Sequence, residues 1–275
     1  MMRVTTVDMF GASPGRGSTL DVLIPAGPPD DDVVAAAAAH ARHSNSTETA
    51  LVSECSRAQR TFGSRIFNAE GETPFGTHSL AGVAARLVRA GHLEPGEVGR
   101  TAEVGCQWLW TDGSEVRVPF DGPAVREQIP HDPTVFGWPV GTPHAGGVGR
   151  AFNFVRVTED PRALPVPDLE RMRELGLTDL TAFRWDPDRH EVLARVFAPG
   201  FGIPEDAGCL PAAAALGLTA LGLAADEAPV TVRQVTGHGS ESVFGCTGSI
   251  HGATASVRIT GQVWATASDE KASEA

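Results

Sequence analysis

The sequence contains no tyrosine, and its only lysine, Lys271, lies in the polar C-terminal segment SDEKASEA. These absences exclude several classes of enzyme. A pyridoxal phosphate enzyme and a Schiff-base aldolase need a lysine amine inside the fold, and a phosphate-binding P-loop needs a lysine after its glycines. Hydride transfer that depends on a tyrosine is excluded as well. Other side chains must therefore carry any catalysis.

Long apolar runs and an excess of positive charge are also absent. Among 275 residues, 41% of them hydrophobic, no run approaches the ~18 apolar residues of a membrane span, so we expect a soluble protein without a membrane partner. The net charge of -12 argues against a nucleic-acid partner, because binding to phosphates requires a basic face. The opening residues MMRVTTVDMF lack the layout of a secretory signal, which favours a cytoplasmic location.

Motifs for metals and nucleotide cofactors are missing too. His40 and His43 lie one turn apart on a predicted helix, but no third ligand follows at a matching spacing, so no metal site is predicted. GGVG at 146–149 lacks the spacing of a dinucleotide fingerprint, and GHGS at 237–240 is not a nucleophile elbow, so both are predicted to be loops. The cysteines form no CxxC pair and are predicted to be reduced thiols. They are Cys55, Cys106, Cys209 and Cys246.

What the sequence does contain is an internal repeat. RIFNAEGETPFGTHSLAGVAARL begins at Arg65, and RVFAPGFGIPEDAGCLPAAAALG begins at Arg195, 130 residues later. Without a gap, identical residue types align at Arg65/Arg195, Phe67/Phe197, Pro74/Pro204, Leu80/Leu210, Ala84/Ala214 and Ala85/Ala215. The copies differ where chemistry is expected, since residues 76–78 (GTH) align with residues 206–208 (DAG). The repeat predicts two structurally similar halves.

Hydrophobic patterns and turn residues predict the elements of both halves. In the first we expect strands at 3–9 and 19–24, a helix at 31–43, a helix from near His78 to Gly91 and a hairpin turning at Asp112-Gly113. In the second we expect the strands FNFVRVT, TAFRW and HEVLARVFA, a turn at Asp186-Pro187-Asp188 and helices at 167–176 and 208–223. Each half is thus a mixed sheet around a central helix. The predicted boundaries are 1–125 and 126–265, with a crossover within 121–149 and a disordered tail at 266–275.

The two helices that follow the repeated strands suggest a binding site. If the halves pack with pseudo-twofold symmetry, the helix N-termini near Ser79 and Cys209 converge on one cleft. Such termini attract anions, so the expected ligand is a small-molecule carboxylate. Glu48, His78 and Asp206 are the acid/base candidates beside them, because a carboxylate in an apolar wall can exchange protons near neutral pH. A thiol at a helix N-terminus has a lowered pKa, so Cys209 is an acid/base partner or, alternatively, a small apolar residue that fills a pocket.

Three stretches together resemble the phenazine-biosynthesis PhzF-like isomerases, relatives of diaminopimelate epimerase. STET at 46–49 matches the family's N-x-S-E-T-x-F-V, and RIFNAEGETPFGTHSLAG matches R-I-F-T-P-x-x-E-x-P-F-A-G-H-P-T-L-G. RVFAPGFGIPED follows the family almost letter for letter, and VDMF near the start also agrees. The resemblance extends over nearly all of residues 3–265.

The resemblance implies an α+β fold of two pseudo-symmetric halves, each a β-barrel-like mixed sheet around a central helix, assembled as a homodimer without a cofactor. It implies that Glu48 is the proton shuttle and that His78 and Asp206 orient and polarise the substrate. The substrate-binding positions are then Gly76, Thr77, Ser79, Gly208 and Cys209.

The chain departs from the family inside this site. Pro211 stands where the family has a serine, and GTHSL at 76–80 replaces the family's A-G-H-P-T, so that Ser79 stands at the proline position. A proline fits the first turn of a helix but offers no donor. The acid/base carboxylate is kept while the pocket changes. We therefore expect the reaction type to be conserved and the substrate to differ from the phenazine precursor.

The predicted activity is a cofactor-independent isomerisation in specialised or antibiotic metabolism. Glu48 would move a double bond by proton transfer in a small unsaturated cyclic amino or imino acid, for example a precursor of a 4-alkylproline unit. One alternative is a racemase or epimerase that uses Glu48 and Cys209. The other is a non-catalytic protein that binds a small carboxylate.

Overall fold

The computed structural model describes residues 2–73, 76–102, 105–126, 132–138, 141–223 and 228–266. The α-helices are α1 (Asp31–His43), α2 (Thr77–Arg89), α3 (Leu169–Glu174) and α4 (Leu210–Leu221). The first eight strands are β1 (Met2–Met9), β2 (Ser18–Pro25), β3 (Glu48–Ser56), β4 (Thr61–Asn68), β5 (Gly71–Thr73), β6 (Gly96–Ala102), β7 (Gly105–Thr111) and β8 (Glu115–Val125). The other eight are β9 (Thr142–Val148), β10 (Phe152–Arg156), β11 (Leu180–Asp186), β12 (Glu191–Ala198), β13 (Ile203–Asp206), β14 (Val230–Val235), β15 (Glu241–His251) and β16 (Thr254–Ala265). Of the predicted tail, 267–275 lies outside the described residues.

The ends of the long helices follow the capping residues of the sequence. The side chain of Asp30 accepts a hydrogen bond from the N–H of Val33 at 2.9 Å, and two further aspartates occupy the first turn of α1, where they favour the positive helix end. The predicted helix at 31–43 is confirmed. α2 ends just before Gly91, whose φ of 74° lies in the left-handed region that stops helices.

Two compact units divide the chain. One comprises Met1–Val118 with Gly261–Ala275, and the other comprises Pro119–Thr260. Both divisions fall inside a strand, since β8 and β16 each have residues in both units. The sequence-based boundary between residues 125 and 126 stays a prediction.

The same order of pairings occurs in both sets of eight strands. β1 is antiparallel to β2, β2 is parallel to β3 through α1, and β3 is antiparallel to β4. β4 is parallel to β6 through α2, β6 to β8 continue antiparallel, and the short β5 pairs with β4. Strands β9 to β16 repeat each step, with α3 and α4 as the crossovers and β13 on β12. The two topologically similar halves are confirmed.

Each unit closes its sheet into a barrel. In the first unit the end of β16 pairs with β1, and the N–H of Val263 donates to the carbonyl of Ser114, next to β8, at 2.6 Å. In the second unit the end of β8 pairs with β9, and the N–H of Ala124 donates to the carbonyl of Ala253, next to β16, at 2.8 Å. Closure leaves few unpaired strand edges. The α+β fold with a β-barrel-like sheet around a central helix is confirmed.

A buried helix fills each barrel. Five hydrophobic side chains of α2 are fully buried, and nine of the twelve residues of α4 are buried. Small residues permit this fit, because a Cβ on Gly217 of α4 would overlap the sulfur of Cys246 on β15. A Cβ on Gly82 of α2 would come within 2.6 Å of the sulfur of Met9 on β1. The high alanine and glycine content of these helices therefore follows from the narrow barrel interior.

The repeated arginine occupies the same topological position in both barrels. Arg65 on β4 donates through Nε to Glu72 on β5 at 2.7 Å, and Arg195 on β12 donates through Nε to Glu205 on β13 at 2.5 Å. The two glutamates do not align in the repeat, since residue 72 aligns with residue 202. Each guanidinium also lies over the phenylalanine two residues later, at 5.8 and 5.0 Å. The repeat thus preserves an ion pair through different partners.

Other local predictions have mixed outcomes. The hairpin at Asp112-Gly113 is confirmed between β7 and β8, and the turn at Asp186-Pro187-Asp188 is confirmed between β11 and β12. The loop assigned to 146–149 is wrong, because 146–148 belong to β9, where Gly146 pairs with β10 and residues 147–148 pair with β8. Glycines carry no side chains that reveal a strand period, so the polarity pattern missed this strand.

We predict that the two arginine–glutamate pairs contribute unequally to stability. The side chains of Arg195 and Glu205 are 5% and 12% exposed, whereas those of Arg65 and Glu72 are 40% and 44% exposed. Glu205→Ala leaves a buried cation and should lower the free energy of unfolding by about 3 to 5 kcal/mol. Glu72→Ala should lower it by less than about 1 kcal/mol. Urea unfolding measures both, and equal losses would contradict the prediction.

Candidate active site

Glu48 and Ser79 form the centre of a polar cluster in the first unit. Glu48 is the first residue of β3, paired with Leu20 on β2, and is 3% exposed. Ser79 lies in the first turn of α2, is fully buried and donates its hydroxyl to Oε2 of Glu48. The backbone of Glu48 is held by the sheet. Two sequence-predicted site residues are therefore in direct contact.

Gly76 is the N-cap of α2, and the helix begins at Thr77. A Cβ at position 76 would approach Cγ1 of Ile66 to 2.8 Å, so the chain fits here only as glycine unless that side chain shifts. A glycine N-cap supplies no side-chain acceptor of its own. The first N–H groups and the positive helix end lie beside Ser79 and the Glu48 carboxylate that it binds. Gly76 and Thr77 stay predicted binding positions.

The backbone of His78 lies in the first turn of α2, but its side chain lies outside the described residues. Its role in orienting the substrate remains a prediction from the resemblance.

Arg100 on β6 is a functional candidate that was not predicted from the sequence. Its Nη1 lies 3.5 Å from the carbonyl oxygen of Gly76, and its guanidinium interacts electrostatically with Glu48. Burial lowers the pKa of Arg100, and the attraction of Glu48 opposes this shift. The arginine is separated from Glu48 by 52 positions in the sequence, so only the strand pairing brings the two charges together.

A hydrogen-bond network around Asp21 fixes the segment that leads into β3. Asp21 is 5% exposed, and both of its carboxylate oxygens accept hydrogen bonds. Burial by itself raises the pKa of Asp21, but these hydrogen bonds outweigh it and the net shift is downward. The partners are Thr6 at 2.6 Å, His40 at 2.7 Å, Ser44 at 2.6 Å and Ser46 at 2.9 Å. The segment just before Glu48 is thus anchored to β2 and to the end of α1.

The second unit holds the remaining predicted residues. Asp206 ends β13, is 3% exposed and accepts a hydrogen bond from the N–H of Gly208 at 2.9 Å. The N-cap of α4 is Cys209. The buried amide of Gln234 on β14 accepts from the N–H of Cys209 at 2.7 Å and donates to its carbonyl at 2.9 Å. Gln234 was not predicted from the sequence. Pro211 is the second residue of α4, as its fit to a first turn predicts.

The lowered pKa expected for Cys209 at a helix N-terminus is wrong. Burial raises the pKa of this thiol well above its usual range, and the nearby carboxylate of Asp206 adds to the shift. A thiolate there would be poorly solvated and would face a negative charge. Together these two effects outweigh the stabilisation of a thiolate by the positive end of the helix. Cys209 therefore holds its proton at neutral pH. All four cysteines are free thiols.

Two cavities open in the second unit around the last turn of α4. They measure about 320 and 220 Å³, and both are lined by Arg126, Leu218 and Gly222. His144 also lines the larger one. Neither cavity is lined by a sequence-predicted site residue, because Cys209 lies at the opposite end of α4. Within the described ranges, no helix is long and apolar enough to span a membrane, and no cluster of three metal-binding side chains occurs.

Known proteins match this chain in structure. No protein-family model and no curated protein matches the sequence. A PhzF-family phenazine biosynthesis protein of Enterococcus faecalis is similar over 96% of both chains, with 19% identity and a TM-score of 0.75. A predicted epimerase from Pseudomonas aeruginosa is 25% identical over 97% of this chain and 98% of its own, with a TM-score of 0.71. A hydroxyproline epimerase from Agrobacterium vitis is 16% identical over 96% and 91%, with a TM-score of 0.59. The chain therefore has the fold of PhzF-like proteins, as its motifs predict.

The raised pKa of Cys209 predicts slow alkylation. Because the thiolate is the reactive form, iodoacetamide should modify Cys209 last among the three cysteines outside the core, and only slowly below about pH 9. The exposed Cys55 and Cys106 should react first and serve as internal controls. Mass spectrometry of peptides after timed labelling measures the order. Fast labelling of Cys209 at pH 7 would contradict the assigned protonation state.

Proposed function

We propose that this protein is a cofactor-independent isomerase that moves a double bond by proton transfer in a small unsaturated carboxylic acid. The observation that carries the proposal is the buried carboxylate of Glu48, held by the hydroxyl of Ser79 at the start of α2. Buried carboxylates at fixed positions are suited to take and return protons. Similarity to PhzF-like and epimerase structures supports an isomerase-type activity.

The proposed reaction needs one acid/base group and no redox change. The Glu48 carboxylate removes a proton from a carbon next to the conjugated system, and the electron pair of the C–H bond moves into that system. The carboxylic acid formed on Glu48 then returns the proton to another carbon of the same system. One C–H bond breaks, one forms, and the double bond changes position. His78 and Asp206 would orient and polarise the substrate, as the family resemblance implies.

The proposed substrates are cyclic amino or imino acids. The Agrobacterium vitis epimerase holds trans-4-hydroxy-L-proline, a five-membered cyclic amino acid, in the same type of fold. This supports a ring of that size, such as an unsaturated pyrroline carboxylate that becomes a 4-alkylproline unit of an antibiotic. We further infer that the protein acts as a homodimer, which sedimentation velocity tests.

A racemase or epimerase is the second candidate, because the similar structures include a hydroxyproline epimerase and a predicted epimerase. With its raised pKa, the Cys209 thiol would act in such a reaction as a proton donor and not as the base. Deuterium incorporation with inversion at one carbon and unchanged ultraviolet absorbance would favour this candidate. Deuterium at a new carbon with a shifted absorbance would favour double-bond migration.

The decisive variant for the proposed function is Glu48→Gln, which keeps the shape of the side chain and removes its acid/base capacity. Proton exchange in D₂O on a panel of unsaturated cyclic amino and imino acids, followed by NMR and mass spectrometry, should fall by about 100- to 10,000-fold. Glu54→Gln is the matched control, since Glu54 is an exposed glutamate on the same strand. Its exchange rate should equal that of the wild type. An unchanged rate in Glu48→Gln would refute the assigned shuttle.

A further inference from the structure

Arg100 points into the first barrel. Along β6 it lies two residues after Val98, which is fully buried, so both side chains lie on the same face of the strand. Its partner on β4 is Phe62, which is fully buried as well. The next residue, Thr101, faces the other side, where it donates to Glu54 at 2.6 Å. The guanidinium is therefore on the side of the sheet that holds α2.

The protein supplies few hydrogen-bond acceptors to the guanidinium of Arg100. It offers five N–H donors. Within the described part of the chain, its hydrogen bond is the long contact of 3.5 Å to Gly76, no carboxylate lies within ion-pair distance, and Nε is buried without a partner. Arg195 in the other barrel differs, because it pairs with Glu205 and donates to the carbonyl of Leu164 at 2.6 Å.

Arg100 is partly buried, and a cation that has lost part of its hydration without gaining a close counter-ion is costly, since the desolvation is not offset by pairing. A planar guanidinium matches a carboxylate in a two-bond geometry. The charged group that attracts Arg100 is Glu48, the proposed proton shuttle. Accepting the proposed function, we propose that Arg100 binds the carboxylate of the substrate beside Glu48 and so selects for carboxylic acids.

This role also fits the proposed reaction. When a proton leaves a carbon conjugated to a carboxylate, negative charge spreads onto the carboxylate oxygens. Arg100 would hold these oxygens and offset the added charge without changing its own protonation. The ligand contact fixes the acid end of the substrate, while Glu48 moves the proton between its carbons.

The test compares 3,4-dehydro-L-proline with its carboxamide, which lacks the negative charge. Isothermal titration calorimetry should give the wild type a clear preference for the acid. Arg100→Gln should weaken binding of the acid by about 10- to 100-fold and remove that preference. Arg117→Gln is the control, because Arg117 is an exposed arginine of the same unit that pairs with Glu115. An unchanged preference in Arg100→Gln would overturn the inference.

A stability measurement separates ligand binding from a structural role. Without ligand, Arg100→Met should unfold at the same or a higher urea concentration than the wild type, because it removes a partly buried charge that has no close counter-ion. A marked loss of stability would assign Arg100 to the fold and overturn the inference. The proposed function can fail independently of this inference. Undiminished proton exchange in Glu48→Gln would refute the role of Glu48 as proton shuttle. A preference for the acid that depends on Arg100 would still support the carboxylate-binding site.

Discussion

The hydrogen bond from Ser79 to Glu48 joins the first turn of the central helix α2 to the start of β3. The candidate site in the first barrel depends on these two parts. A buried carboxylate is stable only when donors or cations replace the water it has lost. Here a hydroxyl at a helix N-terminus donates to the carboxylate, and the guanidinium of Arg100 attracts it electrostatically. The PhzF-like pattern has proline at position 79, and a proline has no hydroxyl to donate this hydrogen bond.

The barrel with a helix inside it constrains much of the remaining sequence. The helix has to be narrow, which accounts for the alanines and glycines of α2 and α4, and it has to begin where the repeated strand ends. This brings the start of each helix next to the short strand or loop that follows the repeated arginine. The two barrels then diverge in polar residues: the first has Glu48 and Ser79, and the second has Asp206 and Gln234. A duplicated framework with unlike polar groups suits acid/base chemistry, in which one group takes a proton and others bind.

Much of this arrangement could be predicted from the sequence because it rests on local patterns. Aspartates marked the start of α1, a glycine marked the end of α2, and the repeat predicted twin halves. Contacts between residues distant in sequence could not be predicted in this way. Arg100 interacts electrostatically with Glu48 only because strand pairing brings them together. The same holds for Gln234, which forms hydrogen bonds to the backbone of Cys209. The protonation of Cys209 was predicted wrongly because the helix-end argument omits burial and the neighbouring Asp206. The glycine-rich β9 was missed because it has too few side chains to show a period of two.

Chemical rescue of a cavity variant tests the central claim, that Glu48 carries the proton, most directly. Glu48→Ala removes the carboxylate and leaves space for a small one, so proton exchange in D₂O should be lost and should return as formate is added, but not with chloride at equal ionic strength. Recovery that saturates with formate is the result predicted here. Exchange at the wild-type rate by Glu48→Ala without formate would contradict the account.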